Sequence, residues 1–169
     1  LLGYSNAGVQ VNYSGSLMEN VNSLAGNAYY NVGWQGSFQE ANGWTTSGGN
    51  PRLDLVNFTF HHALAPLHTP RTIEMDIRLH RYAVDQNFGS SMISKGYFPT
   101  EMSFSERLIP ILKDLGIEWS VVSNSHISRA CSDFPLVLGS GGENCDPPNK
   151  ADQINPGGNA WFRRTISRG

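Results

Sequence analysis

Residues 96–122 read Gly-Tyr-Phe-Pro-Thr-Glu-Met-Ser-Phe-Ser-Glu-Arg-Leu-Ile-Pro-Ile-Leu-Lys-Asp-Leu-Gly-Ile-Glu-Trp-Ser-Val-Val. A short apolar strand ends near Pro99 and delivers one carboxylate, Glu101, into a loop. Ser103, followed three residues later by Glu106, forms a capping-box pattern, which predicts a helix opening directly after Glu101. Leu108, Ile109, Ile111, Leu112 and Leu115 make its apolar stripe, and Gly116 fits its stop. Pro110 is expected to kink this helix, because beyond the first turn a proline removes a hydrogen bond at a cost of roughly 3 kcal/mol. Residues 117–122 supply the next strand. Strand, helix and strand in that order are one βαβ step, with an acid where barrel enzymes keep their chemistry, at the carboxyl end of the first strand.

The same step recurs upstream. Leu53–Phe60 is β-rich and mostly apolar, as a buried parallel strand requires, and His61-His62-Ala-Leu-Ala-Pro66 follows its carboxyl end. A helix is predicted from about Pro70, with Ile73, Ile77 and Val84 at helical spacing, ending where Gly89 takes a left-handed cap position. Val9–Tyr13 alternate as a half-buried strand. Ser14 then opens a helix in which Leu17, Met18, Val21 and Leu24 share a face and Gly26 ends the run. Residues 26–52 carry Gly, Asn, Ser and aromatics without a clear period, so they read as a long excursion with a short helix near Trp34–Ala41. Beyond the opening segment, His126 stands at another strand's carboxyl end. Residues 131–160 read as loop, and a further strand begins within 161–166.

Alternating strands and helices imply an α/β fold with a parallel sheet and helices outside it. His61 with His62, then Glu101, then His126 fall on successive strand ends and share one rim. The units are too few to close an eight-strand barrel. At 169 residues the chain has the length of one domain, and 1–169 is read as a single partial barrel with excursions at about 26–52 and 131–160. Its first and last residues read as the ends of a piece cut from a longer polypeptide.

Composition narrows the function classes. Only 39% of residues are hydrophobic and 15% charged, while Gly (18) and Pro (9) are abundant, so the protein is loop-rich. Four Trp, eight Phe and six Tyr argue against disorder. A net charge near −2 with scattered cations leaves no basic footprint for nucleic acid. No apolar run approaches the roughly 18 residues of a membrane span, and no leader-peptide pattern is visible at the start. Cys131 and Cys145 are either one bridge or two free thiols, and neither choice decides the compartment. Asn12 and Asn57 begin glycosylation sequons, a weak signal.

Glu101 is the residue with the most chemistry to offer. Next to a helix N-terminus its carboxylate is stabilised as an anion by the unpaired first-turn N–H groups. An ionised carboxylate among aromatics is what a glycosidase nucleophile needs; read alone, it is equally an ordinary acid at a helix start. His61, His62, His68 and His80, with Asp76 and Asp85, raise the possibility of a metal site. Adjacent His61 and His62 point to opposite sides of a strand, however, and no His-x-x-x-His pair is in place. His62, His61 and His126 are instead read as hydrogen-bonding groups for a substrate. Phe98 and Trp34 are read as stacking surfaces, with Trp44 and Tyr97 as further candidates, whereas Trp119 in mid-strand belongs to the core.

The segment Gly-Tyr-Phe-Pro-Thr-Glu-Met-Ser-Phe-Ser, followed by Ile-Leu-Lys-Asp-Leu-Gly-Ile-Glu-Trp, resembles the Trp-x-Pro-Glu segment and following Leu-x-x-Leu-Gly-Ile helix of glycoside hydrolase family 57. His62-Ala-Leu-Ala-Pro66 and Val9–Leu17 resemble two further family features. Phe98 departs from the usual Trp, and Thr100 intervenes between Pro99 and the acid. The resemblance implies a distorted seven-strand (β/α) TIM-like barrel that acts with retention on α-linked glucans or related oligo- and polysaccharides, without a metal or other cofactor. It makes Glu101 the nucleophile and places the general acid, an Asp on a later strand, outside this chain. A metal-dependent polysaccharide deacetylase and a non-catalytic carbohydrate-binding or assembly protein stand as rivals.

Overall fold

The computed structural model describes residues 3–27 and 33–123, together with the backbone of Leu138–Gly139 and Gly142–Glu143. The chain divides into two compact units, Leu1–Val121 and Val122–Gly169. In the second, β5 (Leu138–Gly139) and β6 (Gly142–Glu143) form an antiparallel pair. His126, Arg129, Cys131, Cys145 and the expected strand within 161–166 lie outside the described residues.

The first unit is built on a parallel sheet of four strands in the order β1 (Val9–Val11), β2 (Leu53–Asn57), β3 (Ile93–Tyr97) and β4 (Trp119–Ser120). Strand order equal to chain order, with no reversal, is the arrangement of a barrel arc and not of a doubly wound sheet. Between the strands run α1 (Gly15–Ala25), the short α2 (Gly36–Ala41), α3 (Pro70–Phe88) and α4 (Leu108–Asp114). Ser14 caps α1, its hydroxyl accepting the Leu17 N–H, and Thr69 caps α3 through the Thr72 N–H with Pro70 in the first turn. These are the side chains that satisfy N–H groups a helix leaves unpaired.

Two apolar clusters make the core, and α3 contributes to both. Ala83, Val84 and Phe88 pack with Met18, Leu53, Leu55 and Met92, and Trp34, Phe38 and Trp44 close over that group. Ile73 and Ile77 pack with Tyr97, Leu108, Leu112, Leu115 and Ile117. The predicted stripes of α3 and α4 are thus the buried ones. On α1 the stripe is narrower than its pattern implies: Met18 is buried, but Leu17 and Leu24 are exposed.

Several local expectations give way to tertiary contacts. The capping box at Ser103 and Glu106 does not form. Thr100–Met102 makes one hydrogen-bonded turn with positive φ at Glu101 and Met102, and α4 begins only at Leu108, with no side-chain cap. The Arg107 guanidinium instead donates to the carbonyls of Pro66 and His68 in the β2–α3 connection, and Phe104 packs against the second cluster. The late start removes the kink expected at Pro110, which now falls in the first turn where its missing N–H is no loss. Gly89 has φ 93° and ψ 153°, positive but extended, so it leaves the helix without entering the left-handed cap. Trp119 is 36% exposed and its ring covers the Cα of Gly96, where any Cβ would collide with the indole.

Between β2 and β3 the register breaks. Leu55 pairs with Ile93 but Asn57 with Tyr97, so β3 advances four residues while β2 advances two. The carbonyls of Ser94 and Gly96, left facing β2 at this irregularity, both accept from the buried Asn57 amide at 2.6 Å. The Asn57 carbonyl oxygen accepts from Arg81 of α3, whose guanidinium also reaches the Leu115 carbonyl. Asn57 is therefore committed in the interior and is no acceptor for a glycan. Replacing it by leucine removes both donors and strands a partly buried guanidinium. Asn57→Leu is expected to cost about 3 kcal/mol or more, read as a lowered denaturant midpoint with an unchanged slope.

A second interior group joins the strand ends. His80 of α3 donates from Nε2 to the Tyr13 carbonyl and accepts at Nδ1 from the Phe58 N–H, so it tethers the chain just after β1 to the chain just after β2. Desolvation by burial lowers its pKa from 6.5 to about 4, outweighing the Tyr13 bond that works the other way. Between those values the unfolded chain carries a proton on His80 and the folded chain does not. Stability from this site is full above pH 6.5 and is lost as pH falls toward 4, a span on the order of 3 kcal/mol. A His80→Gln variant should show a flatter loss of unfolding free energy across that interval.

Candidate active site

The carboxyl ends of β1, β2 and β3 border one cavity of about 410 Å³. Asn12, Tyr13 and Ser14 come from the β1–α1 turn and Leu17 from the first turn of α1, Phe58 and His62 from the end of β2, and Phe98, Glu101 and Met102 from the end of β3. Parallel strands bring these segments to the same side because each strand ends where its neighbours end. The Thr59 and Thr100 hydroxyls, both buried, bond at 2.8 Å and join the second and third segments just before His62 and Glu101. The Phe98 N–H donates to the Asn57 carbonyl and continues the ladder past the register break.

Glu101 presents an accessible carboxylate: its side chain is 74% exposed, and Oε1 lies 3.5 Å from Nε2 of His62, itself 54% exposed. Phe58 backs the His62 ring at 5.2 Å between centroids and meets Phe98 at 6.3 Å. The wall beneath the two polar groups is therefore aromatic. The positive end of α4 does not serve Glu101, since that helix begins seven residues later; the group that faces the carboxylate is the His62 imidazole. This replaces the dipole expected from the sequence.

Backbone conformation singles out the same residues. Among the described residues, the non-glycine positions with positive φ are His62 (59°), Glu101 (53°) and Met102 (55°), and all three line the cavity. For residues with a Cβ the left-handed region costs roughly 1–2 kcal/mol each, and such positions cluster where surrounding structure enforces a functional geometry.

Other residues read from the sequence lie elsewhere. His61 does not line the cavity; its Nδ1 is bonded to Asp76 of α3 at 2.5 Å. Trp34 packs edge-on against Phe38 and Phe88, its indole N–H donating to Asn22, so the ring closes the first core cluster instead of offering a platform. Trp44 lies beneath the Arg52 guanidinium, and Tyr97 is wholly buried. Both nitrogens of His80 are spent on backbone groups. Among the described residues, no three His, Cys, Asp or Glu side chains converge on a common point. The β1–α1 turn, Phe58 and Met102 are the parts of the wall that sequence reading did not place in the site. The signal was available: the rule that puts His62 and Glu101 on the rim puts Asn12–Ser14, just past β1, there too.

The comparisons with known proteins agree with this architecture. An alpha-amylase of Niallia circulans is 42% identical over an alignment of 158 residues that covers 88% of this chain and 12% of the relative's length. The crystal structure of 4-alpha-glucanotransferase from Thermococcus litoralis superposes with a TM-score of 0.60 at 19% identity, over 80% of this chain and 19% of that one. That likeness shows a shared fold. The chain thus spans about an eighth and about a fifth of the two relatives. The model of glycosyl hydrolase family 57 matches residues 7–137. With most of its length matched, and with a parallel sheet whose strand ends carry the cavity, the chain belongs to glycosyl hydrolase family 57.

Proposed function

We propose that this chain carries the nucleophile-bearing rim of a retaining glycoside hydrolase or glucanotransferase acting on α-linked glucan, with Glu101 as nucleophile. The observation that carries the reading is the pairing of an exposed Glu101 with His62 across an aromatic-walled cavity, both held in left-handed backbone. The family and the named activities of the two relatives, an alpha-amylase and a glucanotransferase, point to the same substrate class.

The chemistry follows from the groups. The Glu101 carboxylate attacks the anomeric carbon as the glycosidic C–O bond breaks, and a carboxylic acid from elsewhere in the intact polypeptide protonates the departing oxygen. The resulting glycosyl ester is opened by water, or by a sugar hydroxyl in a transferase, with that second carboxyl now accepting the proton and Glu101 released as carboxylate. His62 hydrogen-bonds a hydroxyl of the sugar in the adjoining subsite, while Phe58 and Phe98 cover its apolar face. The oligo- or polysaccharide is the partner this site takes, and His126 is proposed as a further substrate-binding residue.

Glu101→Gln removes the nucleophile while keeping shape and hydrogen-bonding capacity. In the intact protein it should abolish glucan hydrolysis, by about three orders of magnitude or more, while binding of a maltooligosaccharide measured by calorimetry persists. Full activity in that variant would refute the assignment. A retaining mechanism further requires the two carboxyl groups to lie about 5–5.5 Å apart, and a separation near 8 Å in a structure of the intact enzyme would exclude it.

A further inference from the structure

Asp76 sits on α3, is only 7% exposed, and directs its hydrogen bonds at a single short stretch of chain. A carboxylate this buried requires partners, and they come from the turn that follows β2. Oδ1 bonds His61 Nδ1 at 2.5 Å, Oδ2 accepts the His61 N–H at 3.3 Å, and the Asp76 carbonyl accepts the Phe60 N–H at 3.4 Å. One helical residue thereby holds two consecutive residues of the turn by main chain and side chain. The next residue is His62, at φ 59°.

Phe60 is also held by the Ser16 N–H, which donates to its carbonyl at 3.0 Å, and by packing against the first core cluster, but at His62 the backbone has only weak bonds. The His62 N–H reaches the Thr59 carbonyl at 3.4 Å, and the Thr59 hydroxyl reaches the Ala63 carbonyl at 3.4 Å. Both are long, as are the two backbone bonds to Asp76, so the short side-chain bond between Asp76 and His61 is the strong fastening. A left-handed, β-carbon-bearing residue relaxes toward ordinary backbone when its surroundings allow it, and relaxation at His62 would swing its imidazole away from Glu101. Fastening His61 to the helix also settles which of two adjacent histidines faces the cavity: with His61 turned to α3, His62 is the one against Phe58 and Glu101.

We propose that Asp76 is a positioning residue of the active site, which fixes the Phe60–His62 turn through His61 and so holds the His62 imidazole against Glu101. The proposal rests on the assignment of Glu101 as nucleophile. It predicts that Asp76 matters to turnover only through His62, a relation that a purely structural aspartate would not show.

A double-mutant cycle in the intact protein, with maltoheptaose as the probe and thermal unfolding as the control for folding, tests it. Asp76→Ala should lower kcat about tenfold or more with KM changed about twofold or less, since a misplaced group costs turnover before it costs binding across many subsites. In a His62→Ala background the same substitution should change kcat by no more than about threefold, because the coupling is then already lost. His61→Ala, a change at a mostly exposed ring, should reproduce part of the loss. If Asp76→Ala does not fold, Asp76→Asn runs the cycle instead, keeping an acceptor for the His61 N–H while removing the charge. Equal fractional losses from Asp76 substitution with and without His62, or unchanged kcat in folded Asp76 variants, would overturn the positioning role while an inactive Glu101→Gln leaves the nucleophile standing. An active Glu101→Gln overturns both.

Discussion

The Asn57 amide is the contact on which the arrangement of this rim depends. It sits where β3 slips two residues ahead of β2, and its two hydrogens take up the two β3 carbonyls that the broken ladder would leave unpaired in the interior. An even slip preserves which face each β3 side chain occupies, because side chains alternate with period two. What the slip changes is position along the strand. It brings Thr100 to the buried hydroxyl of Thr59, and with that contact made, Glu101 emerges opposite His62 and not one turn away from it. Arg81 fastens the same amide to α3 and α4, so the slip is held by three elements at once.

Around this fixed register the site is assembled from locally unfavourable pieces. His62, Glu101 and Met102 all occupy left-handed backbone, a cost of a few kcal/mol in total, offset by the buried hydroxyl pair, by aromatic packing of Phe58 and Phe98, and by His80 tying the end of β1 to the end of β2. The rim is thus strained at its exposed tips and stabilised in the layer immediately below. Such a division keeps Glu101 and His62 accessible while denying them conformational freedom, the arrangement that the proposed nucleophile needs.

The parts of this architecture that were legible in the sequence were those governed by periodicity and by strong local stops. Ile73, Ile77 and Val84 announced the buried face of α3, Pro70 its start, and the apolar runs at Leu53 and Ile117 their strands. Glu101 and His62 were legible because a residue just past a parallel strand falls on the rim whatever its packing. The capping box at Ser103 was misleading: two guanidinium bonds from Arg107 to the Pro66 and His68 carbonyls and the burial of Phe104 outweigh one local cap. Trp34 looked like a platform because its neighbours in sequence are polar, yet Phe38 and Phe88, four and fifty-four residues away, enclose it. Asp76 stood out in the sequence only as a candidate metal group, since its bonds to Phe60 and His61 exist only once α3 lies against the β2 turn.

By itself, then, the sequence determined the order of strands and helices, the parallel sheet and which residues follow each strand, because these follow from local patterns of side-chain size and polarity; the family was legible through the resemblance of its motifs. Only the tertiary structure decided that β3 slips by two residues, that His62 and not His61 meets Glu101, that the imidazole and not a helix terminus faces the carboxylate, and that the aromatic wall is Phe58 with Phe98. Each of those outcomes is set by contacts between residues far apart in the chain, where a single buried amide or carboxylate chooses among registers and rotamers that the local sequence leaves nearly equal in energy.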